Sequence, residues 1–177
     1  LMISMILLIG FFSSMVLLAN KNPLDGDNRN YAMVARSILS EGNIELSEFS
    51  DRIARDQGYG IVEENGKKYN QFPIGPSLVM APIYSMLEHR HPVDPEITAG
   101  RWATAFCFAV SLASIFLLAG TFKNVGPWLS LLTAFIFGFC SMQLSLNAIS
   151  FWSHNAEVMF IILGWLAARN SSRWIVA

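Results

Sequence analysis

Apolar and polar positions fall in blocks along this chain. Three long stretches carry no charged side chain: residues 1–20, 102–122 and 124–156. A hydrocarbon core of ~30 Å takes about 20 apolar residues in helical form, so the first two stretches each predict one membrane span. The third is too long for one. Its polar patch Ser145-Leu146-Asn147-Ala148-Ile149-Ser150 predicts a turn, with a fourth span after it that carries His154 and Glu157 near its start. The pattern predicts an all-α polytopic membrane protein with four transmembrane helices, over 1–20, 101–122, 126–145 and 151–168, and a long loop over 21–100. No basic segment precedes the first apolar stretch, which reads as a span rather than a cleaved leader.

Inside the loop the period changes. Tyr31, Val34, Ala35 and Ile38 recur at helical spacing and predict a short amphipathic helix over 28–39. Asp27 stands where a cap belongs, and Gly42 lies just past the end. Residues 42–60 read as polar and irregular. Asn65-Gly66, between Ile61-Val62 and Tyr69, predicts a two-residue hairpin. Residues 77–87 read as an apolar helix too short to span, with Pro76 at its first turn and Pro82 interrupting it.

Charge then orients the layout. Of the 13 acidic residues, 12 lie between Asp25 and Glu96, and nine of the 12 basic residues lie between Lys21 and Arg101. Lys123, Arg169 and Arg173 fall together on one side of alternating spans, and the positive-inside rule makes that side cytoplasmic. The expected placement is an integral protein of the plasma (inner) membrane, N-terminus cytoplasmic and long loop extracytoplasmic. A net charge of −1 leaves no footprint for a nucleic acid. Cys107 and Cys140 lie inside apolar runs and make neither a disulfide framework nor a zinc site.

Few residues offer chemistry. Asp25 and Asp27 flank a glycine; such a pair can share a divalent cation, or one can act as a base beside the other, although a turn with a helix cap uses the same residues. His154 and Glu157 share one face of the fourth span, where ionisable groups mark function unless they are simply hydrated at headgroup level. A histidine there can hold a phosphate or relay a proton. Arg101 stands at the outer end of the second span, in reach of lipid headgroups. Lys67 and Lys68 read as solvated, and Tyr69, Phe72 and Tyr84 as interface aromatics. The topology puts Asp25, Asp27, Arg101 and His154 on one outer face, which suits a substrate with a lipid tail and a charged head.

Three passages carry a family likeness: Asp25-Gly26-Asp27-Asn28-Arg29-Asn30-Tyr31 with the helix after it, Asn70-Gln71-Phe72-Pro73-Ile74-Gly75-Pro76-Ser77-Leu78, and Phe151-Trp152-Ser153-His154-Asn155-Ala156-Glu157. In this order the chain resembles the N-terminal part of the GT-C membrane glycosyltransferases, in the protein O-mannosyltransferase-like (family 39-like) and aminoarabinose-transferase-like branch. Many relatives have Asp-Glu where this chain has Asp27-Asn28, which bears on metal binding more than on a base. The family has many more spans, so the resemblance implies an N-terminal fragment with a partial GT-C fold, inactive alone. It also implies a polyprenyl-phosphate sugar donor, an outer protein, glycan or lipid acceptor, and inversion at the anomeric carbon. Asp27, or Asp25, would be the general base. His154 and Arg101 would face the departing phosphate, with Tyr31 and the helix start at Gly75 as further substrate contacts. No cofactor is implied beyond a possible divalent cation. The alternatives are a noncatalytic membrane protein or assembly subunit and, less favoured, a transporter, whose polar residues belong nearer the bilayer midplane.

Overall fold

The computed structural model of the chain describes residues 2–19, 27–55, 57–88, 95–141, 151 and 153–174. The chain divides into two compact units. One, the mixed unit, comprises Lys21–Ala103 and Ser150–Ser153; the other, the helical unit, comprises Leu1–Asn20, Thr104–Ile149 and His154–Ala177.

The mixed unit starts with α2, Asp27–Ser40, the predicted amphipathic helix; α1, Met2–Ala19, belongs to the helical unit. The buried residues of α2 include Asn28, Tyr31, Ala32, Val34 and Ala35, while Arg36 and Leu39 stay exposed. Its end is fixed twice. The Ser37 hydroxyl donates to the Glu45 carbonyl at 2.7 Å, and Gly42 takes a left-handed φ of +69°. The stretch read as irregular is ordered by a 3-10 turn, Ser47–Phe49, and a short helix α3, Ser50–Arg55. Leu46 and Ile53 from this stretch join Met33 and Val34 in a core cluster. The hairpin forms where Asn65-Gly66 puts it. Strand β1, Ile61–Glu64, pairs antiparallel with β2, Lys67–Asn70, Glu64 opposite Lys67. Both turn residues have positive φ, 53° and 76°, as a mirror-image turn requires. A further bridge, Glu45 to Tyr69, extends the pairing.

Helix α4, Gly75–Leu87, packs along α2 and buries Val79, Met80 and Tyr84. It runs through Pro82 rather than stopping there. Pro82 removes one N–H, and the carbonyl that loses its partner belongs to Leu78; both residues are on the exposed side, where water can replace the bond.

Helix α5, Pro95–Gly120, starts in the mixed unit and continues into the helical unit. There it joins α1, Met2–Ala19, α6, Pro127–Cys140, and α7, Ser153–Trp174. Ala105, Phe108 and Leu112 of α5 form a core with Leu8, Ile9, Met15, Leu17 and Phe137 against it.

The four-span expectation is corrected by these lengths. Among the described residues only α5 is long and apolar enough to cross a membrane. Helix α6 has 14 residues, about 21 Å at 1.5 Å per residue, short of a ~30 Å core. Gly126-Pro127 starts it late, and the Ser141 hydroxyl closes it onto the Phe137 carbonyl. Helix α7 is diluted by His154, Asn155, Glu157 and Arg169. The polar patch over 145–150, read as a turn, lies outside the described residues. The fold is mostly helical with one two-stranded sheet, and a polytopic four-span bundle is not supported.

Candidate functional site

The chemistry of the mixed unit gathers around the first turn of α2. Asp27 is its first residue, half-buried. The nearby Asp27 carboxylate pushes the Tyr59 phenol above its ordinary value, by hydrogen bonding first and by charge second. One turn along α2, Asn30 reaches the same partner: its Nδ2 donates to the Tyr59 carbonyl at 2.9 Å.

Beneath these groups lies an aromatic cluster. The Tyr31 ring is fully buried. It meets Phe72 edge-on at 6.3 Å between centroids and Phe151 at 6.5 Å, distances in the favourable range for aromatic pairs. Tyr59 packs on Phe72 at 5.8 Å. Phe72 is oriented by its own segment, since its N–H donates to the Asn70 side-chain oxygen at 3.2 Å.

The sequence-predicted residues separate as follows. Asp25 lies outside the described residues. Tyr31 is an interior packing residue, with no surface for a substrate. Gly75 starts α4, and a Cβ there would meet open space, but Pro76 at the first turn withholds one N–H from any anion. Arg101 is half-buried on the mixed-unit part of α5. His154 belongs to the helical unit, exposed, with Nδ1 3.1 Å from Glu157 Oε2. Lys67 and Lys68, read as solvated, both have partners: Lys67 Nζ meets Glu45 Oε2 at 2.7 Å, and Lys68 Nζ donates to Ser50 Oγ at 3.1 Å. Tyr84, read as an interface aromatic, is buried, and burial raises its phenol's value. Among the described residues no group of three or more His, Cys, Asp or Glu side chains gathers to hold a metal ion. Asp27 alone does not make such a site.

Two constellations were not visible in the sequence. Tyr59 sits between Gly58 and Gly60, and a Gly-aromatic-Gly triplet is itself a hint of special backbone. The second is Glu96 in the first turn of α5, a buried carboxylate held by Arg52 at 2.6 Å and Arg36 at 3.8 Å. Arg36 also lies over the Phe49 ring, 5.6 Å from its centroid. This clasp ties α2 and α3 to α5 and is a structural element.

No family model, curated protein or solved structure matches this chain.

Proposed function

We propose that the protein takes part in transfer of a glycosyl group from a polyprenyl-phosphate-linked sugar to an acceptor on the extracytoplasmic side of a membrane, with Asp27 as general base. One observation carries the reading. The passages that give the family resemblance, far apart in the chain, supply Tyr31, Phe72 and Phe151 to a single aromatic cluster, and Asp27 lies half-buried on the same helix as Tyr31.

The membrane setting is supported by α5 and by the composition of the helical unit. On α6 the small residues Ser130, Ala134 and Gly138 are buried while Trp128, Leu132, Phe135 and Ile136 are exposed. Small residues inside and large apolar ones outside suit a hydrocarbon solvent. In the proposed arrangement the mixed unit is extracytoplasmic, and α5 carries the chain inward to Lys123.

In the proposed step the acceptor hydroxyl oxygen attacks the anomeric carbon and its proton passes to the Asp27 carboxylate. The bond from that carbon to the lipid phosphate oxygen breaks, the phosphate leaves with the electron pair, and the configuration inverts. A base within hydrogen-bond reach contributes on the order of 10²–10⁴-fold. The described residues do not assemble a metal site, so no step is routed through one. The acceptor is a protein, glycan or lipid hydroxyl.

The test is Asp27→Asn in the complete reading frame, assayed in membranes with a labelled polyprenyl-phosphate sugar. Transfer should fall at least about 10²-fold with the protein still membrane-associated. Transfer at the wild-type rate rejects the base. Wild-type membranes that transfer nothing from any such donor favour the noncatalytic subunit.

A further inference from the structure

The helical unit has an uneven charge. Its sequence carries Lys123, Arg169 and Arg173 against one carboxylate, Glu157. Glu157 and Arg169 stand 12 positions apart on α7, about 18 Å at 1.5 Å per residue, so the carboxylate belongs to the other end of that helix.

Two of the cations are brought to the turn between α5 and α6. The turn is closed by its own backbone: the Thr121 N–H donates to the Leu118 carbonyl at 3.0 Å, and the Val125 N–H to the Phe122 carbonyl at 3.3 Å. Lys123 is exposed on it. Arg169, also exposed, lies over the ring of Phe122, 5.1 Å from its centroid. A ring face positions a cation without cancelling its charge.

Two apolar grooves open beside this turn. One, of about 420 Å³, is lined by Phe116, Leu117, Gly120, Pro127 and Leu166. Leu166 is three residues before Arg169 on α7. The other, of about 330 Å³, is lined by Leu118, Phe122, Leu129 and Thr133. Val125 lines both. These volumes are those of ligand sites, and Leu117, Phe122 and Leu129 are exposed, so both grooves are open. Two hydrocarbon-lined grooves beneath a pair of cations fit an anionic head that carries two hydrocarbon chains. A protein segment fits the grooves but must bring carboxylates for the cations, and a zwitterionic lipid brings an ammonium of its own to them. In the proposed arrangement the turn lies at the cytoplasmic border, where anionic lipids attract Lys and Arg.

We propose that the α5–α6 turn is a binding site for an anionic phospholipid, its phosphate held by Lys123 and Arg169 and its two acyl chains lying in the two grooves that share Val125. The site rests on the membrane setting of the proposed function and is independent of Asp27 and of glycosyl transfer.

The experiment uses the complete protein in vesicles of phosphatidylcholine with a minor fraction of phosphatidylglycerol, one lipid or the other carrying bromine on its acyl chains. Bromine quenches indole fluorescence at close range. Trp165, exposed beside Leu166, is the reporter, its signal being the component absent from Trp165→Phe. At equal mole fraction, brominated phosphatidylglycerol should quench it more than brominated phosphatidylcholine. Lys123→Gln and Arg169→Gln should each raise the anionic fraction needed for half-maximal quenching about fivefold, the worth of one cation at an anionic surface, and the double variant should abolish the preference. Gly120→Leu keeps the charges and fills a groove; its Cβ would meet Ser130 Oγ at an ordinary 3.7 Å, and the preference should weaken. Equal quenching by the two lipids overturns recognition of the head. A preference that survives in the double variant puts the anion elsewhere and overturns the site, and one that Gly120→Leu leaves intact overturns the grooves. Quenching by neither lipid, with Leu117→Cys crosslinking to a second copy, means that protein covers this face and overturns the proposal as well. Asp27→Asn should leave every one of these readings at the wild-type value, so loss of the lipid site and loss of the base are read separately.

Discussion

The two units solve the problem of burial in opposite ways. The mixed unit encloses polar groups and gives them partners: Ser37 bonds the Glu45 carbonyl, Asn30 bonds the Tyr59 carbonyl, and Glu96 is clasped by Arg52. Its apolar interior is made of Tyr31, Met33, Leu46 and Met80, all fully or almost fully buried. The helical unit buries Ala105, Ser111, Ser130 and Ala134 and exposes Leu7, Phe11, Trp128, Phe135, Ile161 and Trp165. Ser111 answers its own helix, donating to the Cys107 carbonyl at 2.8 Å. One unit is built as an aqueous domain is, by withdrawing large side chains from water. The other buries Phe108 and Leu112 but also leaves many large apolar side chains outside, which water would penalise and lipid would not. Hydropathy summed along the chain cannot express this difference, because it counts side chains without regard to where they point.

The contrast can be broken by substitution. The largest expected effect is in the mixed unit, at Glu96→Gln. Removing one partner of a buried ion pair costs roughly 3–5 kcal/mol; the Arg52 side chain is 26% exposed, so about 2–3 kcal/mol is expected here. Amide exchange should rise in α2 and α3 and stay unchanged in α6. Equal loss of protection in both would mean that the clasp is not local to this unit. Next is Gly60→Ala, which must adopt φ +68° and push Phe72 aside. About 2 kcal/mol is expected from left-handed strain with a small overpacking cost, read by the same exchange measurement at 57–60.

In the helical unit the comparison sharpens into a pair. Ala134→Leu adds bulk at a fully buried position and should cost about 1–2 kcal/mol, measured by thermal unfolding in detergent. Leu132→Ala removes bulk at a position 50% exposed and should stay within about 0.5 kcal/mol. The reverse order would show that α6 turns its large face inward. The smallest effect is at the exposed Glu45–Lys67 pair. The Lys67 ammonium holds the Glu45 carboxyl below its ordinary value, so its contribution is present above about pH 4.5 and is lost as pH falls through the lowered value. Glu45 in turn raises Lys67, a contribution present below the ordinary lysine range and lost as pH rises through the raised value. Carbon-detected titration of Glu45 should move back toward the ordinary value in Lys67→Met.

Legibility in the sequence followed the range of the interactions. Helix α2 and the hairpin were readable because their determinants are local: an apolar period over Tyr31, Val34, Ala35 and Ile38, and the pair Asn65-Gly66, which accepts positive φ at both positions. Helix α3 was missed because six residues offer one buried side chain, Ile53, too little for a period. The Glu96 clasp joins partners 44 and 60 positions apart, which no spacing rule reaches. The span count failed for another reason. An uncharged run records where charge is absent, whereas helix ends are set by Pro127 and by the bond from Ser141. Of the candidate residues, Asp27 was legible as a carboxylate near a helix start. Tyr59 was not, because its link to α2 is made by folding, Asn30 reaching its carbonyl across 29 positions.

The left-handed corner at Gln57, Gly58 and Gly60 imposes a rule on descent. The hairpin tip can gain or shed a residue and still reconnect its strands, because a Cβ at Gly66 would meet only open space. The corner has no such latitude. One inserted residue would break the close fit of Gly60 against Phe72 and Asn30. Diverging copies of this gene should therefore keep the length of this corner constant while the letters around it change.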